Sequence, residues 1–193
     1  MTRSVSLASS LLLACATLGC GGAKDKTTQT GAEVAAKAPT EMAPDPDYAE
    51  LDVGADWKSY TQLNKEPFFS KTHGKRFVDL YVNDIALEAY KAGTEPPVGS
   101  VIVKTSWETA DGKPTEVAGP IFVMEKKPAG FSEETSDWWY GLHWAEVPPK
   151  WQTVMKASKV YWRTPSKKVG YCVDCHDVYD NQIGGIPEAS RNY

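Results

Sequence analysis

The chain has 193 residues, a formal net charge of −4 and a hydrophobic content of 41%. This length allows one medium domain plus an additional terminal segment, with enough residues to bury a core. The mildly acidic balance argues against nucleic acid as a partner, because nucleic-acid binding requires a basic face. Seven Trp and nine Tyr residues predict an aromatic, well-filled β core.

The N-terminus, "MTRSVSLASSLLLACATLGCGG", has the pattern of a secretory signal. Arg3 precedes an apolar stretch that is too short to span a membrane comfortably and lacks a charged stop on its far side. Residues 1–19 are therefore predicted to be a signal peptide. The ending "TLGC" resembles a lipoprotein signal, which would make Cys20 the cleaved and lipidated residue. Cleavage at Cys15 and ordinary cleavage without a lipid are the alternatives.

Residues 20–47 are predicted to form a flexible tether, since Gly, Ala, Thr, Lys and Pro predominate and aromatic residues are absent. One folded domain is expected over residues 48–193. This organisation predicts a protein that is lipid-anchored in the cell envelope and faces the periplasm.

The elements of this domain alternate between apolar strands and short helices. "KRFVDLYVN" predicts a strand with Phe77 and Leu80 on opposite faces. "NDIALEAYKAG" predicts a helix that ends at Gly93. Further strands are predicted at "VGSVIVKTSW", "GPIFVMEK" and "DWWYGLHW", a turn at "DGKP" and a helix at "VPPKWQTVMKAS". The expected fold class is α+β, dominated by an antiparallel β-sheet with a few short helices.

The sequence "CVDCH" near the C-terminus has the spacing of a c-type haem attachment site. Two thiols at this spacing reach the two vinyl groups on one edge of the porphyrin, and the next residue places its imidazole below the iron. Cys172 and Cys175 are thus predicted to form thioethers, with His176 as the proximal iron ligand. The predicted cofactor is one covalent haem c.

Three other interpretations of this motif compete. A structural zinc site needs four ligands, and the remaining candidates, His73 and His143, are far apart in sequence. A thioredoxin-like redox pair belongs at a helix start in a βαβ unit, which this chain does not suggest. A simple disulfide between Cys172 and Cys175 would leave His176 unexplained.

The order of these motifs resembles the cytochrome P-460 family, which includes the β-sheet cytochromes called c-prime-beta. The resemblance extends from Trp57 to Asp180 and rests on "HGKRFVDLYVNDIALEAYKAG", "PVGSVIVK", "GPIFVMEK", "DWWYG" and "CVDCH", in that order. It implies an antiparallel β fold of the P-460 type with one c-type haem near the C-terminus. Because members often form dimers, it also implies a homodimer.

The resemblance points to Lys104 as a cofactor-binding and catalytic residue. Members with P-460 chemistry carry a lysine bonded to a haem meso carbon on a strand of the form V-x-V-K, and "VIVK" places Lys104 there. The c-prime-beta members keep a similar lysine without the bond. From the residues alone, Lys104 could also be a solvated strand-end lysine or a partner of a haem propionate. Members often carry an acidic residue next, where this chain has Thr105.

The resemblance also implies a distal catalytic carboxylate that removes protons from hydroxylamine. Glu125 in "FVMEK" is the match by order. The alternative is a surface carboxylate paired with Lys126 or Lys127. In the c-prime-beta proteins the distal side is instead apolar, and Phe122 or Phe131 would take that place.

A sixth iron ligand could come from several side chains. The candidates are Met124, Met155, His73 and His143. His143 lies in an aromatic strand and fits a core position, whereas His73 lies in the turn-like "THGK" and is expected to be exposed. The resemblance favours an open distal site or a weak ligand.

Three functions from different classes follow. The first is redox chemistry on hydroxylamine or nitric oxide, the second is binding of a small gas at the iron, and the third is electron transfer with a filled sixth site. The expected partners are a small ligand at the iron and a redox partner protein. The net negative charge of the chain would help a basic partner to dock.

Overall fold

A computed structural model describes residues 42–193 of the chain. The predicted signal peptide, the predicted lipidation site Cys20 and most of the predicted tether lie outside these residues. No helix within residues 42–193 is long and apolar enough to cross a membrane.

The described residues form one sheet of eight antiparallel strands. Six of them lie side by side in the order β1-β3-β4-β6-β7-β8, while β2 pairs with β3 and β5 pairs with β4. The strands are β1 (Thr61–Gln62), β2 (Phe68–Ser70), β3 (Arg76–Val82), β4 (Val101–Ala110), β5 (Lys113–Ala118), β6 (Ile121–Lys126), β7 (Trp138–Trp144) and β8 (Val160–Arg163).

Three short α-helices accompany the sheet: α1 (Asp84–Ala92), α2 (Pro149–Met155) and α3 (Gly170–His176). The first begins and ends as predicted. The Asn83 side chain accepts a hydrogen bond from the Ala86 amide, and Gly93 ends the helix with φ of 68°. The sheet and its helices confirm the predicted α+β class.

The sheet buries apolar side chains on both faces because its strands alternate with period two. On one face, Leu80, Ile102 and Tyr140 pack against α1, α3 and the C-terminal segment. We call this the helix face. On the other face, Val103 and Trp139 pack against the segment that precedes β1.

The folded domain begins a few residues before the predicted boundary at residue 48. The Ala43 carbonyl accepts a hydrogen bond from the Ser158 amide at 3.0 Å. The Asp45 carboxylate accepts one from Lys168 Nζ at 2.7 Å. The end of the predicted tether, 42–47, thus contacts the domain. The composition of this segment gives no sign of it, since backbone groups and one carboxylate make the contacts.

Candidate functional site

Helix α3 positions the histidine of the "CVDCH" motif against the helix face. Val173 and Cys172 pack against the buried apolar side chains of the helix face, and His176 is itself buried. His176 Nδ1 donates a hydrogen bond to the Gln182 carbonyl oxygen at 2.6 Å. Burial, reinforced by the charge of Lys104, lowers the pKa of His176 to about 4. At neutral pH the ring is therefore uncharged, and Nε2 carries a lone pair that is available to a metal.

A cavity of about 250 Å³ separates α3 from the sheet. Cys172, Cys175 and His176 all line it. The two cysteines are not joined by a disulfide, and Cys175 is exposed. Burial raises the pKa of Cys172 to about 11, so its thiol is protonated at neutral pH. Apolar side chains form much of the remaining wall, among them Phe68, Val78, Ile102, Phe122, Met124 and Ile183.

Lys104 projects from β4 into this cavity. Its side chain is buried, with 8% exposure, and burial lowers the pKa of its amine to about 8. Lys104 Nζ lies 3.5 Å from His73 Nε2. The interpretation of Lys104 as a solvated strand-end lysine is therefore wrong, and a role toward a group in the cavity stays a prediction.

His73 also lines the cavity, although the sequence predicts an exposed turn residue there. It lies between β2 and β3, with its ring edge-on to Phe122 at a centroid distance of 4.9 Å. His73 Nδ1 is 2.7 Å from Ser70 Oγ. Burial is the main cause that lowers the pKa of His73 to about 2, and the charges of Lys104 and His176 add to it. Its imidazole is therefore neutral.

Glu125 lies on the other face of the sheet from the cavity. It alternates with Phe122 and Met124 along β6, and those two side chains face the cavity. Its carboxylate forms an ion pair with Lys127 at 2.6 Å. The expected role as a distal carboxylate does not fit this position, whereas the alternative of a paired surface carboxylate does. No Asp or Glu is among the described residues that line the cavity.

Three other residues proposed for the distal side do not line the cavity. Phe131 is exposed at 42% and does not line the cavity. His143 lies on the face opposite the cavity, beside Tyr48 and Tyr161. Met155 is the last residue of α2 and packs against a separate cluster.

The donor set and the walls of the cavity fit a haem held through cysteine. Within residues 42–193, no three His, Cys, Asp or Glu side chains converge as ligands of a metal ion would. Cys172 and Cys175, three residues apart on α3 and both lining the cavity, suit bonds to one edge of a flat group. The Tyr140 hydroxyl is buried and unpartnered, and Tyr140 lines the cavity. A buried orphan hydroxyl indicates that a polar group of a bound molecule completes the site.

Sequence reasoning does not identify several lining residues. Phe68 and Phe69 come from β2, Tyr140 from β7, and Ile183 from the irregular segment after α3. The signal for the three aromatic residues is the heavy aromatic content of the chain, and Ile183 has none.

The comparison with protein families agrees with this geometry. Residues 54–182 match the family model described as Cytochrome P460. No curated protein matches the chain. Because the family match covers more than half of the chain and includes both the sheet and the "CVDCH" motif, the chain belongs to the cytochrome P460 family.

Proposed function

We propose that the protein is an exported, lipid-anchored monohaem c-type cytochrome that binds small nitrogen species, or carries out redox chemistry on them, at its haem iron. The family implies a haem cofactor. The observation that carries the proposal is that all three side chains of the "CVDCH" motif line one cavity on the helix face. A haem bound there would supply one-electron redox chemistry and an iron that can bind a small ligand.

The three residues of the motif on α3 would bind the haem in two different ways. Cys172 and Cys175 would hold it through thioethers, and His176 would bind the iron through Nε2. The Gln182 carbonyl fixes the ring because it accepts the Nδ1 hydrogen at 2.6 Å. Such a hydrogen bond selects the tautomer and orientation that a ligating histidine needs.

The cavity walls bear on which nitrogen species is favoured. Oxidation of hydroxylamine requires a base within hydrogen-bond reach of the substrate, and the described lining has no carboxylate. Phe68, Ile102 and Phe122 present apolar surface instead. We therefore favour binding of an uncharged species such as nitric oxide over hydroxylamine oxidation. Electron transfer with a filled sixth site is the second candidate, which the position of His73 favours.

Haem attachment can be tested by intact mass and haem staining of the purified periplasmic form after denaturing electrophoresis. We expect the mass of one haem on the wild-type chain and a strong stain. Each single variant, Cys172→Ala or Cys175→Ala, should retain one thioether and load less haem. The double variant should carry none that survives denaturation. A wild-type chain without covalent haem would refute the proposal.

The reduced absorption spectrum separates the reaction classes. A strongly red-shifted band, with a peptide in which Lys104 is bonded to haem, would favour hydroxylamine chemistry. A spectrum of ordinary c type that changes when nitric oxide is added would favour binding.

Lys104 and Glu125 should differ sharply in their influence on the haem. Lys104 faces the cavity, and its charge reaches both His73 and His176. Glu125 is paired with Lys127 on the opposite face. Because a nearby cation favours the reduced iron, Lys104→Met should lower the midpoint potential at pH 6 by tens of millivolts. Glu125→Gln is the matched control.

Redox titration of both variants provides the measurement. The potential of Glu125→Gln should stay close to that of the wild type, because the sheet separates its carboxylate from the cavity. Equal shifts in the two variants would place the haem elsewhere.

A further inference from the structure

We propose that His73 is the second axial ligand of the haem iron, on the side opposite His176. The inference rests on the proposed haem site but goes beyond it, because it fills the sixth coordination position with a named side chain. The family match and the "CVDCH" motif do not assign this residue.

The spacing of the two rings carries the proposal. The ring centroids of His73 and His176 are 6.5 Å apart across the cavity. Two imidazole rings that share one metal ion, each through a bond of about 2 Å, place their centroids about 6 Å apart. The two rings therefore already lie at the separation that one iron between them requires.

The hydrogen bonds at the two rings have the same pattern. His176 Nδ1 is engaged by the Gln182 carbonyl at 2.6 Å, and His73 Nδ1 by Ser70 Oγ at 2.7 Å. Each ring is thus tied at Nδ1 and turns Nε2 toward the cavity, where His73 Nε2 has Lys104 Nζ at 3.5 Å. A hydrogen bond at one nitrogen is the usual support for a histidine that binds metal through the other.

The segment that carries His73 is held in place by the sheet. β2 and β3 pair from Phe68–Val78 to Ser70–Arg76, so residues 71–75 form a short connection between paired strands. Gly74 has φ of 76°, a conformation that glycine adopts without strain. The edge-on contact with Phe122 further restrains the ring. The strand pairing and this ring contact together hold His73 against the cavity.

Other lining side chains are weaker candidates. Lys104 Nζ lies at hydrogen-bond distance, 3.5 Å, from His73 Nε2, so this amine has to turn away for that nitrogen to bind the iron. Tyr140 has its ring 5.7 Å from that of His176, but burial raises the pKa of its hydroxyl, and a neutral phenol is a poor ligand. Met124 lies in the wall on β6. His73 is the one whose ring is both opposite His176 and tied at Nδ1.

A filled sixth position changes how the site would work. At rest the iron would be coordinated by two histidines, an arrangement suited to rapid electron exchange. A small nitrogen ligand would have to displace His73 first, so the turn between β2 and β3 would control access to the iron.

The haem-loaded protein allows a direct test by absorption and electron paramagnetic resonance spectroscopy. We expect the oxidised wild type to be low-spin at neutral pH. His73→Ala should become high-spin, and added imidazole should restore the low-spin spectrum. Nitric oxide or azide should bind His73→Ala at least tenfold faster, because no protein ligand has to leave. Ser70→Ala keeps the ligand but loosens its ring, so it should speed binding by a smaller factor.

Three further variants identify the ligand by exclusion. Met124→Leu, Lys104→Met and Tyr140→Phe should all stay low-spin. A high-spin wild type, or a His73→Ala protein with an unchanged low-spin spectrum, would overturn the proposal. Because every sample is first shown by mass to carry covalent haem, such a result leaves the proposed haem site intact. Missing haem in the wild type would refute the haem site itself.

Discussion

Replacing His176 with alanine should remove the proposed proximal iron ligand and abolish the native spectrum of the haem-loaded protein. His176 is buried on the helix face, with Nδ1 tied to the Gln182 carbonyl and Nε2 left for the iron. The cysteines of α3 remain, so those molecules that acquire haem should keep it through denaturation. We expect a fall in haem loading of at least tenfold, since ligation assists attachment. The loaded fraction should have a changed Soret band that added imidazole partly restores.

The chain offers a matched control for this experiment, because it contains only three histidines. His143 is buried like His176 but lies on the opposite face, beside Tyr48 and Tyr161. His143→Ala should cost packing energy and leave both haem loading and the Soret band unchanged. If His143→Ala altered the spectrum, or His176→Ala preserved it, the proximal assignment would be wrong.

Much of the sheet can be predicted from the sequence because its central strands are rich in apolar, β-branched and aromatic residues. β3, β4, β6 and β7 bury side chains on both faces, and such runs are typical of strands. Helix α1 is equally clear, since Asn83 and Gly93 mark its ends. β1 and β2 are too short for a pattern, and β5 is mostly exposed. Their pairing depends on neighbouring strands rather than on local sequence.

The candidate site shows the same division between local and tertiary information. Cys172, Cys175 and His176 are recognisable because the chemistry requires their spacing. His73 lies in a polar turn and looks exposed until Phe122 and α3 are brought against it by the fold. No local pattern encodes that approach.

Glu125 is different, because the sequence already contains the signal against it. Phe122 and Met124 lie on one face of β6, so a residue one position further along the strand points to the other face. Once Phe122 is placed in the cavity, Glu125 cannot share it. Order along the chain, without this alternation, suggests the wrong residue.

The largest effect on stability is expected at Glu108 on β4, away from the haem cavity. Glu108 accepts hydrogen bonds from Lys150 Nζ and, at 2.7 Å, from Trp151 Nε1. Its carboxylate also lies 3.9 Å from the Arg76 guanidinium, which is buried between the rings of Trp144 and Trp151. This cluster joins β3, β4, β7 and α2 through one buried carboxylate.

Glu108→Ala should lower the free energy of unfolding by about 3 kcal/mol, because it leaves the buried Arg76 charge without a counter-ion. Urea unfolding followed by circular dichroism at pH 7 measures this loss. Glu116→Ala, on exposed β5, is the matched control and should change stability by less than about 0.5 kcal/mol. Equal losses in the two variants would show that the buried pair contributes nothing specific.

The pH dependence gives a second check on the same carboxylate. Burial raises the pKa of Glu108, but the hydrogen bonds from Lys150 and Trp151 and the charges of Lys150 and Arg76 outweigh it, so the pKa lies below its usual value of 4.5. A carboxyl group with a depressed pKa stabilises the fold above its unfolded-state pKa, and that stabilisation disappears as the pH falls through the folded-state value. The stability difference between wild type and Glu108→Ala should therefore be full at pH 7 and narrow below pH 4.5. A difference that stays constant down to pH 3 would mean that lost packing, rather than the charge of Glu108, causes the destabilisation.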